Sequence, residues 1–139
     1  MTVVAAQRRP NERMEVQTKV TELAAYTIQA AGNEHVCPKH HRWSLGARLT
    51  DSALAVARHI DIANSLSLDE DYPARRENQR LALAETFALL TLVHTARAIS
   101  HFPSDRLAFW VGSILDLQSL LRGWMDSDRR RSRKPSAGG

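Results

Sequence analysis

Apolar residues recur along the chain at intervals of three and four positions, which is the spacing of one face of an α-helix. The interval is clearest near the C-terminal end, where Trp110, Ile114, Leu117 and Leu121 follow one another. No stretch of the chain alternates apolar and polar residues, so no β-strand is predicted. Short breaks that contain glycine, proline and acidic residues separate four segments with the helical interval. The pattern predicts helices over about 12–31, 39–66, 73–100 and 104–127.

The breaks between the predicted helices, at about 32–38, 66–72 and 101–103, are short. Short connections join helices that lie side by side and run in opposite directions. We therefore predict an all-α fold, an antiparallel up-down-up-down four-helix bundle, over 11–127. The first ten residues carry no periodic pattern and are predicted to form a flexible arm. Residues 128–139 are charged and then rich in Ser, Gly and Pro, and are predicted to form a disordered basic tail.

The predicted third helix is apolar on more than one face. Leu83, Phe87, Leu90 and Leu92 cannot all lie on one narrow stripe of a helix. A helix in a monomeric bundle needs only one such stripe, and apolar surface left over beyond a few hundred Å² usually marks an interface. The sequence therefore predicts that the bundle assembles into a ring-like homo-oligomer.

Composition narrows the class of protein. A chain of 139 residues is the length of one domain. Cys37 is the only cysteine, which excludes an internal disulfide and is typical of a reducing compartment, so a cytoplasmic location is predicted. The most apolar run, 81–93, is shorter than the roughly 20 residues of a membrane span, and the chain opens without the apolar core of a secretory signal. We therefore expect no membrane association.

The net charge of +4 is unevenly distributed. The segment RRRSRK at 129–134 holds five of the 19 basic residues, and the rest of the chain has 14 basic against 15 acidic side chains. Five charges in six residues give salt-dependent affinity for any polyanion. The high isoelectric point therefore belongs to the tail, and a basic site on the bundle must come from the arrangement of residues.

Basic residues also collect in the segment HVCPKHHRWSLGARL, residues 35–49, at the predicted start of the second helix. Three interpretations are open: a metal site, an anion-binding site, or a solvated helix end. Metal sites need ligand spacings such as CxxC, HxxxH or ExxH, and these are absent, so we predict neither a metal nor a cofactor. Because a helix N-terminus repels bases, their accumulation is better explained if an anion lies between them.

A few glycine and tryptophan residues are predicted to serve packing or interfaces. A glycine inside a helix costs up to about 1 kcal/mol relative to alanine, so Gly46 and Gly112 are predicted to mark close approach between helices. Trp124, which follows Gly123, is predicted to be a core or interface aromatic. Trp43 has two open interpretations: a staple against the core, or a platform on which a nucleobase stacks.

The segment VCPKHHRWSLGARL resembles a stretch of the accessory variability determinant proteins of diversity-generating retroelements. Proteins encoded in intervening sequences of bacterial ribosomal RNA genes, also four-helix bundles, are related to that family. The resemblance covers about 14–127. The features that carry it are Pro38-Lys39, Arg42-Trp43, Leu45-Gly46 and Arg48, together with Gly123-Trp124 in the predicted fourth helix.

The resemblance implies a non-enzymatic accessory protein that assembles as a homopentamer. Such a protein binds a reverse transcriptase and its template RNA or RNA–DNA, and supports mutagenic cDNA synthesis. On this expectation Arg58, like Arg48, either pairs with acidic residues or tracks phosphates. The predicted nucleic-acid-binding residues are Lys39, His40, His41, Arg42, Arg48, Arg97 and Arg106, which the predicted topology places at one pole, and Arg129, Arg130, Arg131, Arg133 and Lys134 in the tail.

No catalytic constellation is present in the sequence. It contains no glycine-rich phosphate loop, no nucleophile elbow and no paired carboxylates suited to acid–base chemistry, so the protein is predicted not to be an enzyme. The alternative function is a stand-alone four-helix-bundle structural or regulatory protein without a nucleic-acid role.

Overall fold

The computed structural model describes residues 11–133, and all regular secondary structure within them is helical. The four long helices are α1 (Asn11–Ala31), α2 (Ala47–Ser65), α3 (Tyr72–Ser100) and α4 (Ser104–Arg133). Each packs against two others, so that contacts run from α1 to α2, α2 to α3, α3 to α4 and α4 back to α1. The prediction of an all-helical, four-helix fold is confirmed. The predicted arm at 1–10 lies outside the described residues, as do 134–139.

The interior of the bundle is built from the residues that carry the helical interval. Val16, Val20 and Leu23 on α1 are at most 2% exposed, and all four helices contribute to one continuous core. Trp110 is fully buried, and its indole Nε1 donates a 3.0 Å hydrogen bond to the hydroxyl of Thr27. This bond stabilises Trp110 in the core, because an unsatisfied N–H inside a protein costs free energy. The hydrogen bond from Trp110 therefore explains why Thr27, a polar residue, lies on the apolar stripe of α1.

The segment predicted to begin the second helix is not regular α-helix. Residues Lys39–His41 form a 3₁₀ turn and Arg42–Gly46 a π-helical turn, so α2 starts at Ala47 and not at residue 39. π turns are rare and occur frequently at functional sites. Leu45 and Gly46 in this turn are buried, which anchors the turn to the core.

Helix α4 continues six residues beyond its predicted end at 127. The prediction of disorder is therefore wrong for residues 128–133. The physical reason is Asp128, which is fully buried and accepts hydrogen bonds from Arg75 and Gln79 of α3. This buried contact secures the last turns of α4 against the start of α3.

Helix α3 is the one described helix that is long and apolar enough to cross a membrane by length and composition. This is weak evidence, because the core helix of a soluble bundle passes the same test. Leu89 and Val93 of α3 face the core and are fully buried, while Leu81 and Phe87 are 41% and 48% exposed. The apolar surface of α3 is therefore only partly covered within one copy of the chain, and the cytoplasmic location remains a prediction.

Candidate nucleic-acid interface

The connection from α1 to α2 folds around Asn33. Its backbone oxygen accepts the N–H groups of Val36 and Cys37 at 2.9 and 2.8 Å, and its side-chain oxygen accepts the N–H of His35 at 2.9 Å. Val36 and Cys37 are thereby held in the core. The basic segment that follows starts from this anchored loop, and its position relative to the bundle is fixed by backbone hydrogen bonds.

Cys37 has the properties of a packing residue. Burial raises the pKa of its thiol, although a hydrogen bond from the Gly46 backbone and the charge of Arg42 oppose the shift. The thiol therefore stays protonated at neutral pH, and its Sγ lies 3.7 Å from the carbonyl oxygen of His41. Among residues 11–133 no group of three His, Cys, Asp or Glu side chains is placed to hold a metal ion.

Gly46 lies where the loop, the π turn and the end of α1 meet. A Cβ on Gly46 would lie 3.2 Å from Sγ of Cys37 and 3.4 Å from the carbonyl oxygen of Ala31. This is the kind of close approach that the sequence indicated. In contrast, a Cβ on Gly112 or Gly123 would meet no atom within 4 Å. The prediction that Gly112 marks close helix packing is therefore wrong within one copy of the chain.

We expect the effect of Gly46→Ala to depend on Cys37. In the wild-type background, the higher helix propensity of alanine should add up to about 1 kcal/mol to the free energy of unfolding. The close contact of the new Cβ with the buried Sγ of Cys37 offsets this gain. In a Cys37→Ala background the sulfur is absent, so Gly46→Ala should raise the free energy of unfolding by about 1 kcal/mol. Urea denaturation of the four proteins measures this. Equal effects in the two backgrounds would contradict the close contact.

Trp43 is the most exposed large apolar side chain described, with 83% of its surface accessible. The interpretation of Trp43 as a staple against the core is therefore wrong. With Arg42 it borders a shallow pocket of about 330 Å³ over α1 and α2, whose walls include Ile28 and Thr50. We call Arg42, Trp43 and this pocket the Trp43 shelf. An exposed indole beside a guanidinium is the arrangement on which single-stranded bases stack.

A second concave surface adjoins the shelf on the side of α2 and α3. It measures about 650 Å³ and is lined by Arg48 and Arg58, and Asp51 borders both surfaces. The hydroxyl of Ser52 donates a 2.7 Å hydrogen bond to Glu85 across this surface. We call it the Arg48–Arg58 groove. The two arginines lie about 15 Å apart along the helix axis, at 1.5 Å per residue.

Two basic residues of this region, Lys39 and Arg48, form only weak ion pairs within the chain. Arg48 pairs with Asp51 at 3.4 Å and Lys39 with Glu34 at 3.6 Å, and all four side chains are more than half exposed. Exposed pairs of this kind contribute little to stability, so a phosphate can displace the carboxylate. The rings of His40 and His41 lie next to each other, with centroids 4.1 Å apart.

Two further predicted site residues, Arg97 and Arg106, do not line these concave surfaces. Arg97 is half-buried, and its Nε is enclosed without a hydrogen-bond partner among the described residues. Arg106 is half-buried in the first turn of α4, where its backbone N–H bonds to Pro103 and Asp105. Neither borders the Trp43 shelf or the Arg48–Arg58 groove. Of the seven predicted pole residues, Arg42 lines the Trp43 shelf, Arg48 lines the Arg48–Arg58 groove, and Lys39, His40 and His41 form the 3₁₀ turn that precedes Arg42.

The tail arginines form a separate group. Arg129 and Arg131 bond to Asp126 and Asp128 in the last turns of α4, and Arg130 and Arg133 are exposed there. From Arg106 to Arg129 the helix axis extends roughly 35 Å, so the pole and the tail are distinct sites. The last predicted member of this group, Lys134, lies outside the described residues.

Comparison with protein families, with curated proteins and with solved structures finds no match for this chain. The resemblance to the accessory variability determinants therefore rests on the motifs around Pro38-Lys39 and Gly123-Trp124. The tryptophans of these two motifs differ in their exposure to solvent. The first carries the exposed Trp43, whereas Trp124 is buried, with the guanidinium of Arg75 5.2 Å from its ring centroid.

Proposed function

We propose that the protein is a non-enzymatic accessory protein that binds RNA through the Trp43 shelf and the Arg48–Arg58 groove. The observation that carries this proposal is the 83% exposure of Trp43 beside Arg42. An aromatic side chain exposed to water contributes little to the stability of the fold, whereas stacking against a base contributes about 1–3 kcal/mol to binding. The adjoining groove is lined by Arg48 and Arg58 together with the carboxylates of Asp51 and Glu85, so its two arginines act as separate phosphate contacts for a single-stranded polyanion.

In this proposal the parts of the surface have different roles. A base stacks on Trp43, and Arg42 neutralises the phosphate beside it. Arg48 and Arg58 follow the backbone along α2, where phosphate contacts set position but carry no sequence information. The arginines at 129–133 add a second contact for a longer strand. The bound RNA is then recognised by charge and stacking, so any base preference is modest.

The proposed assembly comes from the resemblance and from the exposed apolar residues. We infer an antiparallel up-down-up-down bundle that forms a ring-like homopentamer in the cytoplasm and binds a reverse transcriptase with its template RNA. Hydrogen bonds between Gln17 and Asn64, and between His59 and Asn78, support the antiparallel order, because each pair joins the beginning of one helix to the later part of its neighbour.

The test of RNA binding is a triple variant, Lys39→Ala/Arg42→Ala/Arg48→Ala, compared with Trp43→Ala. We expect the triple variant to lose several-fold in affinity for a single-stranded RNA and to show a flatter dependence on salt, because fewer counterions are released. Trp43→Ala should lose roughly tenfold in affinity, with its salt dependence unchanged, because stacking involves no charge. Fluorescence anisotropy at several salt concentrations measures both quantities.

The triple variant and Trp43→Ala are best compared in a background in which Arg129, Arg130 and Arg133 are replaced by glutamine, so that the tail arginines do not contribute to RNA binding. Arg131 is kept because it bonds to the buried Asp128. Asp61→Ala, a change at an exposed position on α2, serves as the control and should bind as the parent does. Undiminished binding by both the triple variant and Trp43→Ala would refute the proposed surface and favour the structural or regulatory bundle.

A further inference from the structure

A cavity of about 340 Å³ lies where the start of α1, the connection between α2 and α3, and the later part of α4 meet. Glu12 and Arg13 of α1 border it, and so do Trp124 and Arg131 of α4. Arg75 of α3 also lines it, and we call it the Arg75–Trp124 cavity. It shares no lining residue with the Trp43 shelf or the Arg48–Arg58 groove, so it is a separate surface.

The inner part of the cavity is formed by Arg75 and Trp124, which are 5% and 1% exposed. The guanidinium carbon of Arg75 lies 5.2 Å from the ring centroid of Trp124. The same guanidinium donates hydrogen bonds to Asp128 at 2.6 and 3.1 Å and to the carbonyl of Leu66 at 3.0 Å. These contacts hold the positive charge in place before a ligand arrives. The cavity is therefore preorganised, which lowers the cost of binding.

Trp124 carries an unsatisfied hydrogen-bond donor. Its indole Nε1 is enclosed and has no acceptor among residues 11–133, in contrast to the indole of Trp110, which bonds to Thr27. An unpaired N–H inside a protein costs free energy. A ligand oxygen that reaches the indole supplies the missing acceptor, so the cavity favours a ligand that carries one.

The other polar groups of the cavity are also mainly donors. The hydroxyl oxygen of Ser67 accepts two backbone N–H groups of its own turn at 3.2 and 3.3 Å, which leaves the hydroxyl hydrogen to donate. The guanidinium groups of Arg13 and Arg131 lie at the exposed edge and can only donate. Among the described residues, Glu12 is the one carboxylate that lines the cavity. This set of donors is complementary to an anion.

The charges around the cavity select a ligand with a single negative charge. Three arginines, Arg13, Arg75 and Arg131, line the cavity together with the carboxylate of Glu12. A second carboxylate, that of Asp128, lies behind them and bonds to both Arg75 and Arg131. Three positive charges less two negative ones leave +1, which one carboxylate neutralises. A phosphate group, with a charge of about −1.5 to −2, exceeds it.

The rest of the lining is apolar. Leu66 and Leu68 of the connection are half-buried and line the cavity together with the indole of Trp124. A volume of a few hundred Å³ with apolar walls and a few convergent polar groups is the usual composition of a small-molecule site. A sugar–phosphate backbone has no apolar group to cover these walls, so the lining fits a small molecule better than a segment of RNA.

We propose that the Arg75–Trp124 cavity binds a small organic carboxylate with an apolar body, independently of the RNA-binding surface. The carboxylate pairs with the arginines and accepts the hydroxyl hydrogen of Ser67, and bonds to a charged group are stronger than those between neutral groups. The apolar body lies against the two leucines and the ring of Trp124. Because the ligand contacts α1, α3 and α4 and binds only the folded chain, it stabilises the bundle.

The test is calorimetric titration of the full chain with phenylacetate, a carboxylate with an apolar ring. We expect a dissociation constant of about 1 mM or below. Phenylacetamide, which has a similar shape without the charge, should bind at least about tenfold more weakly, because it forms no charge-assisted bond. Inorganic phosphate should also bind at least about tenfold more weakly, because it buries no apolar surface.

Variants of the cavity locate the binding site. Arg131→Gln should weaken the binding of phenylacetate by about tenfold, because it removes a charge from the edge of the cavity. Arg130→Gln, a change at the neighbouring exposed arginine that does not line the cavity, is the matched control and should bind as the wild type does. Leu68→Trp fills the cavity and should abolish binding, and circular dichroism verifies that each variant is folded.

The proposal is overturned if phenylacetate does not bind at millimolar concentrations, if phenylacetamide or phosphate binds as tightly, or if Arg131→Gln binds as Arg130→Gln does. It is also overturned if single-stranded RNA displaces phenylacetate from the wild-type protein, because the cavity then belongs to the RNA-binding surface.

Discussion

Replacing Asp128 by alanine should lower the free energy of unfolding by about 3–5 kcal/mol, the usual effect of removing one partner of a buried ion pair. The side chains of Arg75 and Asp128 are 6% and 0% exposed. The Asp128 carboxylate accepts bonds from Nε and Nη2 of Arg75 at 2.6 and 3.1 Å, and from Gln79 at 2.8 Å. Without it the guanidinium remains buried, and the carbonyl of Leu66 is its one remaining hydrogen-bond acceptor among residues 11–133. The predicted decrease in the free energy of unfolding therefore exceeds the contribution of the removed hydrogen bonds alone.

The control for this prediction is the exposed pair of Asp126 with Arg129, which flanks Asp128 in the last turns of α4. Asp126 bonds to Arg129 at 3.2 Å with both side chains about half exposed, so Asp126→Ala should cost less than about 1 kcal/mol. The double variant Arg75→Met/Asp128→Leu replaces both charges by apolar groups and should regain much of the lost stability. Equal effects of Asp128→Ala and Asp126→Ala in urea denaturation would show that the Arg75–Asp128 pair is not buried.

Replacing Trp110 by alanine should cost about 3–5 kcal/mol, because it leaves a large cavity in the centre of the bundle. Trp110 is fully buried and contacts the rings of Tyr26 and Phe102. The smaller change Trp110→Phe retains most of the apolar surface but leaves the hydroxyl of Thr27 unpaired, and should cost about 1–3 kcal/mol.

The hydrogen bond of Trp110 is isolated by a double-mutant cycle. Thr27→Val alone leaves the indole N–H unpaired, whereas Thr27→Val/Trp110→Phe removes both polar groups and should cost less than the sum of the single changes. Leu54→Ala, at a position that is 48% exposed, serves as the surface control and should lie within about 1 kcal/mol of the wild type. Additive single changes would contradict the Trp110–Thr27 bond.

The candidate site shows how far a sequence pattern predicts chemistry. The basic composition of 39–48 was evident from the sequence, and Arg42 and Arg48 line the shelf and the groove in the structure. Arg97 and Arg106 share a predicted pole with them but line neither the shelf nor the groove. The Ser52–Glu85 contact joins residues 33 positions apart and had no local signal. Grouping by pole therefore predicts the region of a site but not which side of the bundle each residue occupies.

The sequence by itself determined the four helices, because the helical interval and the breaks near Gly32, Pro73 and Pro103 act between residues a few positions apart. The tertiary structure alone decided where α4 ends, since Asp128 finds Arg75 53 residues earlier in the chain. It also decided that the start of the predicted second helix is a π turn with Trp43 in solvent. These features depend on core contacts between side chains that are far apart in the sequence, and hydrophobic periodicity does not predict such contacts.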